Sequence, residues 1–292
     1  MASKQKSHQK SHKKSSKNII PYIISTLVVI FLGLGAYFLI QNASTADYIV
    51  ETNAFFPPFE YYKNQEISGV DVEIVNRVAG KLGKKIVLKD VEFDIIIDAV
   101  AEGKLADAGA AGLTITPARS AKVDFSIPYY NSVQYVIFDK NSAPENNGSY
   151  VLWTALSGAT LASQTGSTGY LFTQSEVEEG LLKDTNTSIK GFDTHQLSAD
   201  AVSSHIVDYA IADELPAKLI VSKNPNLSAL PIYYPGENGE ADYPAEESYA
   251  IAVNKKHPEL LEAFNSVLTE MMTKDESGVS ELDSLILKHM GF

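Results

Sequence analysis

From residue 48 onward, short apolar runs alternate with longer segments whose apolar residues recur at helical spacing. The runs at 48–52, 86–91 and 106–110 predict strands, because short apolar stretches between turn residues are typical of strands. The segments 71–82 and 93–101 predict helices. This β-α-β-α-β order predicts a mostly parallel sheet that carries helices on both faces.

The same order restarts after residue 131. Further strands are predicted at 134–138, 160–162, 188–192, 208–212 and 249–253, and further helices at 168–177, 197–204, 214–221, 258–272 and 279–289. The predicted fold class is therefore α/β, with two doubly wound α/β lobes joined by two hinge strands near Asn131 and Glu247. One lobe comprises residues 47–131 plus 248–292, and the other residues 132–247. Ligands of such folds bind at the carboxyl ends of the strands, here between the lobes.

A charge-free segment precedes the α/β body. Residues 19–40 contain no charged side chain and would span roughly 33 Å as a helix, enough to cross a hydrocarbon core of about 30 Å. The basic tail, residues 1–18, places the N-terminus in the cytoplasm. We therefore expect a single-pass anchor in the cell membrane, with the α/β body extracellular. Cleavage of a signal peptide after Ala46 and a buried core helix stay open as alternatives.

Composition excludes several classes of protein. The chain has 292 residues, of which 45% are hydrophobic and 21% charged, as in ordinary globular proteins. It contains no cysteine, which excludes disulfides, thiolate zinc sites, cysteine nucleophiles and lipid attachment at a cysteine. The net charge of −12 argues against a nucleic-acid partner, since such a surface is basic. No motif of a serine hydrolase, zinc protease, phosphate-binding loop or EF-hand is present, and we expect no catalytic residue, cofactor or metal.

The most informative motif is Ala-Ala-Gly-Leu-Thr-Ile-Thr-Pro-Ala-Arg at residues 110–119. It follows a predicted strand, at the edge where ligands of open sheets bind. Among 24 basic side chains only Arg77 and Arg119 are arginines, and a guanidinium binds a carboxylate through two parallel hydrogen bonds, as lysine cannot. Arg119 is therefore a candidate carboxylate ligand, with a surface ion pair as the alternative. Arg77 is assigned to such an ion pair.

Two further stretches follow predicted strands at the same edge. Gln-Thr-Gly-Ser-Thr-Gly at residues 164–169 opens a helix whose first backbone N–H groups favour an anion, although a plain turn explains the motif equally well. Asp213 ends another strand, where its carboxylate can receive an ammonium group or cap the helix that follows. The proline-rich loop at 55–59 adds phenylalanine rings, one of which can line a cleft.

These motifs resemble those of the bacterial extracellular solute-binding proteins of family 3, the polar amino-acid-binding subunits of ABC importers. Phe-Pro-Pro-Phe-Glu at 56–60 resembles the opening motif of the family, and Gly-Val-Asp-Val-Glu-Ile at 69–74 resembles its glycine-aromatic-acidic signature. Residues 112–119 with 124–129 resemble its motif for the ligand carboxylate. The resemblance covers about residues 48–290 and implies the periplasmic-binding-protein type II fold.

The resemblance also implies how the two charged ends of an amino acid are held. By matching motif, Arg119 clamps the α-carboxylate of the ligand. Thr114 and the backbone of Ser167 and Thr168 assist it.

The ammonium group and the side chain of the ligand have their own implied contacts. Asp213 and the carbonyl of Gly112 hold the α-ammonium, while Phe56 and Phe93 sandwich the side chain. Asn53 faces the variable end of the ligand. Many members that bind cationic or amide ligands have an acid at this position, which argues against a pocket selective for lysine or arginine.

The function implied by the resemblance is binding rather than catalysis. We expect the extracytoplasmic subunit of an amino-acid ABC importer, a monomer that binds a free amino acid between its lobes and delivers it to a membrane permease. A neutral or polar ligand is favoured. Two alternatives stay open: a cyclohexadienyl (prephenate or arogenate) dehydratase-like enzyme on the same fold, with Glu60 or Glu214 as general acid, and the ligand-sensing ectodomain of a receptor.

Overall fold

The structure, a computed structural model, describes residues 46–145 and 147–291. The predicted basic tail (1–18) and the predicted membrane segment (19–40) lie outside the described residues. Among the residues that are described, no helix is both long and apolar enough to cross a membrane.

The described chain contains sixteen strands, eight α-helices and three short 3₁₀ turns. The strands are β1 (Tyr48–Thr52), β2 (Phe55–Phe56), β3 (Glu60–Lys63), β4 (Glu66–Ser68), β5 (Ile86–Asp90), β6 (Ala108–Gly109), β7 (Asp124–Phe125), β8 (Tyr130–Asp139), β9 (Val151–Leu152), β10 (Thr160–Gln164), β11 (Ser188–Phe192), β12 (Tyr209–Asp213), β13 (Leu227–Pro235), β14 (Ala241–Pro244), β15 (Glu246–Tyr249) and β16 (Ala252–Val253). The helices are α1 (Val70–Leu82), α2 (Ile96–Glu102), α3 (Pro117–Lys122), α4 (Thr168–Glu178), α5 (His195–Ser203), α6 (Glu214–Lys223), α7 (Pro258–Met272) and α8 (Glu281–Met290). The predicted α/β class is confirmed.

The first sheet has five strands in the order β5-β1-β6-β16-β7. Strand β1 runs parallel to β5 and to β6, as the β-α-β-α-β pattern predicts. Strand β16 comes from the far end of the chain and lies antiparallel between β6 and β7. The sheet is therefore parallel on one side and antiparallel on the other.

The second sheet has eight strands, and its main path is β11-β10-β12-β8-β13-β14. Strands β10, β11 and β12 are parallel, whereas the long strand β8 is antiparallel to β12 and to β13. Near its start β8 also pairs with β15, which places Asn131 opposite Ser248 and Ser132 opposite Glu247. The two segments that connect the sheets therefore lie side by side.

Helices cover both faces of the first sheet. Apolar residues of α1 and α7, among them Ile74 and Phe264, pack on one face, and Ile96 of α2 packs with Leu113 on the other. Full burial of one such side chain contributes about 1.5–3 kcal/mol. The second sheet is covered in the same way, with the buried Trp153 on one of its faces. Because both cores hold the strands in place, the polar residues at the carboxyl ends of the strands are also held in fixed positions.

Several element predictions need correction. The predicted strand 249–253 is divided, because Ala250 N–H donates to the Leu113 carbonyl (2.9 Å) and Ile251 N–H donates to the Ser126 hydroxyl (2.9 Å), so neither N–H group pairs with a strand. The predicted helix 93–101 begins as a 3₁₀ turn at Phe93–Ile95. The prediction also lacked a small three-stranded sheet, β2-β3-β4, and the whole of α3, β13 and β14.

Candidate functional site

The candidate site lies where strands of the two sheets end. Asn53 follows β1, and the chain after β6 carries Gly112 and Thr114. Gln164 ends β10, and Asp213 ends β12. The two groups touch each other, since the Gln164 amide donates a hydrogen bond of 2.9 Å to Asn53 Oδ1. The carboxyl ends of parallel strands from both sheets thus converge, as expected for a ligand site in such folds.

Gly112 is held by a buried aspartate. Asp71, in the first turn of α1, accepts a hydrogen bond from the Gly112 N–H at 3.0 Å and another from the Tyr129 hydroxyl at 2.6 Å. Gly112 has φ +55°, and a Cβ at this position would lie 2.5 Å from Cε1 of Phe56. Only glycine meets both conditions, because other residues rarely adopt this conformation and would collide with the ring.

Arg119 lies in the short helix α3, which begins with the sequence signals of a helix start. The Thr116 hydroxyl caps the helix by accepting a hydrogen bond from the Arg119 N–H, and a proline occupies the first turn. The Arg119 side chain is buried, and its guanidinium donates to the carbonyls of Thr114 (2.9 Å) and Gly166 (3.0 Å). The ring of Phe93 lies 5.7 Å from its Cζ.

The buried position decides between the two interpretations of Arg119. Both of its partners are neutral carbonyls, so the surface ion pair is wrong for Arg119. Burial lowers the pKa of Arg119, while the charges of Glu247 and Asp213 oppose that shift. Arg77, by contrast, forms an exposed ion pair with Glu281, which confirms its assignment.

The start of α4 faces Thr114, which follows β6 of the first sheet. Ser167 caps α4 by accepting a hydrogen bond from the Tyr170 N–H at 3.2 Å, and its own hydroxyl lies 3.2 Å from that of Ser163. The Thr168 hydroxyl lies 3.1 Å from the Thr114 hydroxyl. Both threonines are buried, and the positive end of the α4 dipole favours an anion here. The segment is therefore more than a plain turn, since it brings its Thr168 hydroxyl against that of Thr114, from the chain after β6.

Asp213 is a buried carboxylate held by neutral donors. One of its oxygens accepts from the Gln134 amide and the other from the Tyr249 hydroxyl, each at 2.6 Å. Burial, followed by the charge of Asp213, raises the pKa of Tyr249 well above its ordinary value, so this hydroxyl stays protonated. The predicted capping role is wrong for the side chain of Asp213, which makes no hydrogen bond to the start of α6. Its oxygens are directed to the site instead.

The two predicted aromatic residues and Asn53 have separate neighbours. Phe56 is buried against His195, with ring centroids 5.4 Å apart, whereas Phe93 is half-buried beside Arg119. The Asn53 amide donates to the Val91 carbonyl at 2.8 Å, while its oxygen accepts from Gln164 as described above. A sandwich of a ligand side chain between the two rings stays a prediction.

Sequence reasoning missed two residues at the centre of the site, Glu247 and Gln134. The Glu247 carboxyl accepts hydrogen bonds from the hydroxyls of Thr114 (2.6 Å) and Thr168 (2.5 Å) and from the Gln134 amide (2.6 Å). Burial, and then the charge of Asp213, raises the pKa of Glu247 well above its ordinary value. An acidic side chain next to the apolar segment 249–253 was the available signal, because glutamate is rarely buried without a specific partner.

The two acids proposed for catalysis are placed differently. Glu60 is fully buried on β3 beside Asp71, and burial raises its pKa well above the ordinary value. Glu214 forms an ion pair with Lys218 in the first turn of α6. Within residues 46–145 and 147–291, no group of three or more acidic or histidine side chains is placed to hold a metal ion.

Comparison with known proteins points to one family. The profile of the bacterial extracellular solute-binding proteins, family 3, matches residues 48–280, which is more than half of the chain. A similar curated protein is the arginine-binding extracellular protein ArtP of Bacillus subtilis, 29% identical over 230 residues that cover 78% of this chain and 82% of ArtP.

Solved structures resemble the chain over a similar extent. The substrate-binding protein AbpA of an amino acid ABC transporter from Streptococcus pneumoniae, bound to L-arginine, has a TM-score of 0.70 at 28% identity and covers 84% of this chain and 94% of its own. An ancestral arginine-binding protein bound to glutamine has a TM-score of 0.67 at 29% identity and covers 84% of this chain and 98% of its own.

Proposed function

The chain belongs to the bacterial extracellular solute-binding proteins, family 3, and we propose that it binds a free amino acid as the substrate-binding subunit of an ABC importer. The proposal is carried by one observation. A buried cation, Arg119, and a buried carboxylate, Asp213, face one site while each is bonded only to neutral groups. The charges of Glu247 and, more weakly, of Asp213 both act on Arg119.

A zwitterion supplies the partner that each of these charges lacks. A buried charge is stabilised when an opposite charge pairs with it through hydrogen bonds, and it is costly otherwise. The α-carboxylate of an amino acid fits the guanidinium of Arg119, with Thr114, Ser167 and Thr168 beside it. The α-ammonium fits Asp213 and the carbonyl of Gly112.

The ligand side chain extends, in this proposal, past Phe56 and Phe93 toward Asn53 and Gln164. Their amides offer both donors and acceptors but no charge, and this supports a neutral or polar ligand such as glutamine. Arginine is the second candidate. This ligand is supported by the names of the arginine-binding relatives. It is also supported by the buried residues of the site, where two acids, Asp213 and Glu247, accompany a single basic side chain, Arg119.

Delivery of the ligand completes the proposal. Residues 47–131 plus 248–292 form one lobe and residues 132–247 the other, and the paired segments at Ser132 and Glu247 serve as the hinge. Residues 19–40 anchor the protein in the membrane with the binding lobes outside, where a monomer docks on the permease. In this proposal the protein binds its ligand and catalyses no reaction.

Calorimetric titration with glutamine and arginine tests the proposal, together with their α-amide and N-acetyl derivatives. We expect at least one free amino acid to bind, and both of its derivatives to fail, because each lacks one of the two charges. Asp213→Asn should weaken binding at least tenfold, since a hydrogen bond to a charged group contributes about 1.5–3 kcal/mol. Asp242→Asn, at an exposed aspartate of β14, is the matched control and should bind like the wild type.

Two outcomes would contradict the proposal. Equal binding of the derivatives and the free amino acid would show that the charged ends are not recognised. Absence of binding by all twenty amino acids, together with consumption of prephenate, would support the dehydratase-like alternative.

A further inference from the structure

We propose that Glu247 competes with the ligand carboxylate for the hydroxyl groups of Thr114 and Thr168, so that an amino acid binds by displacing the Glu247 side chain. The inference rests on the proposed function and adds a residue that sets the affinity of the same site.

The first step is the number of hydrogens available. A threonine hydroxyl has a single hydrogen to donate. Thr114 and Thr168 lie 2.6 Å and 2.5 Å from the same oxygen, Oε2 of Glu247. While both hydroxyls donate to Glu247, neither can donate to a ligand. A ligand carboxylate gains these two hydrogen bonds only after Glu247 has released them.

The second step is the place of Glu247 between the two sheets. Its strand, β15, pairs with the start of β8, whereas Thr114 follows β6 of the first sheet and Thr168 opens α4 beside the second sheet. The carboxyl group therefore bridges the two sides of the site. In this respect it replaces the ligand carboxylate of the proposed complex.

The third step is that the guanidinium of Arg119 and the carboxyl group of Glu247 share no hydrogen bond. Arg119 donates to two carbonyls, and the Glu247 carboxyl is held by two hydroxyls and the Gln134 amide. Glu247 thus fills only part of the subsite and leaves the charged donor of Arg119 for a ligand. A ligand carboxylate that binds both Arg119 and the two threonines therefore makes an additional contact, with Arg119, that Glu247 does not make.

The fourth step is a place for the displaced side chain. A cavity of about 250 Å³ opens to the surface beside the paired connecting segments, and Glu247 itself lines it, with Ser132 and Glu214. A carboxyl group that leaves the threonines can therefore turn toward water, where its ionised form is solvated. The cost of displacement is consequently the loss of its hydrogen bonds and not the burial of a charge without a partner.

Competition of this kind lowers the observed affinity by the fraction of molecules in which the site is free. Glu247→Gln keeps the size of the side chain but replaces one of the two accepting oxygens by an amide NH2 group, which cannot accept a hydrogen bond. We expect this variant to bind its amino acid about tenfold more tightly, the change that corresponds to the loss of one hydrogen bond of Glu247.

The test is calorimetric titration of wild type, Glu247→Gln and the matched control Glu246→Gln with glutamine and with arginine. Glu246 is the exposed neighbour on β15, and its replacement should leave the affinity unchanged. Glu247→Asp, which retracts the carboxyl group by one methylene, should also tighten binding and serves if the glutamine variant does not fold. Thermal unfolding of each variant establishes that it is folded.

Unchanged or weaker binding by folded Glu247 variants would overturn the inference, while binding by the wild type would leave the proposed function standing. If neither the wild type nor any variant binds an amino acid, the proposed function fails and the inference fails with it.

Discussion

Replacement of Asp71 by asparagine should remove a pH-dependent loss of stability. Asp71 is buried beneath the Gly112 segment, and burial raises its pKa from 3.8 to about 6, even though hydrogen bonds from Tyr129 and Gly112 act in the opposite direction. An acid whose pKa is higher in the folded chain holds its proton more tightly when folded. Its contribution to stability is therefore full below pH 3.8 and is lost as the pH rises to about 6.

The magnitude follows from the size of the shift. Roughly two pKa units at about 1.36 kcal/mol each give a loss of about 3 kcal/mol at neutral pH. Asparagine does not ionise, and its amide can accept from the Gly112 N–H and donate to the Tyr129 oxygen. The variant keeps both contacts and does not lose stability as the pH rises from 4 to 7.

Urea denaturation of wild type and Asp71→Asn between pH 4 and pH 7 measures the effect. The free energy of unfolding of the variant minus that of the wild type should increase by about 2–3 kcal/mol across this range. Asp242→Asn, at an exposed position, controls for the loss of one negative charge. A difference that stays constant with pH would refute the reasoning, because it would show that Asp71 does not lose a proton in this range.

Two further predictions concern residues of the site and their matched controls. Arg119→Lys should weaken amino-acid binding about 100-fold, because an ammonium cannot form two parallel hydrogen bonds to a carboxylate. Arg77→Lys on the surface is the control and should leave the Kd measured by calorimetry unchanged. Equal effects of the two substitutions would contradict the assignment of Arg119 to the ligand carboxylate. Gly112→Ala should lower the free energy of unfolding by about 2 kcal/mol or more, because Gly112 has φ +55° and its added Cβ would lie 2.5 Å from Phe56. Gly80→Ala, whose added Cβ would have no atom within 4 Å, should raise the free energy of unfolding by about 0.5–1 kcal/mol. Urea denaturation measures both changes. An undamaged Gly112→Ala variant would show that the loop tolerates a side chain.

The elements that were predicted correctly have strong local signals. Strands 48–52 and 188–192 and helix 258–272 have the predicted bounds, because their apolar spacing and flanking residues act within a few positions. The divided strand at 249–253 was not foreseeable in this way. Its course depends on hydrogen bonds to Leu113 and Ser126, more than a hundred residues away in the chain.

The site shows the same limit. Arg119 and Asp213 were identifiable because an arginine in a lysine-rich chain and an acid at a strand end are unusual residue choices. The sequence left open whether Arg119 is exposed, and its burial beneath Phe93 and Gly166 is a tertiary fact. Glu247 and Gln134 were missed because only the pairing of β15 with β8 brings them together. The residue type of Gln134 does not distinguish it from a surface residue, and Glu247 is marked only by its place beside the apolar segment 249–253.

The position of β16 between β6 and β7 has a consequence for the order in which the protein assembles during synthesis. The first sheet cannot acquire this strand until the chain of the second sheet, which lies between β7 and β16, has left the ribosome. An unfolded insert of that length would raise the entropic cost of closure, which grows with the number of freely moving residues. A folded insert holds its own ends together, since Tyr130 lies opposite Tyr249. The folded second sheet thus keeps the ends of β7 and β16 close together, and the first sheet, whose strand β1 is synthesised before all others in it, is the last to be completed.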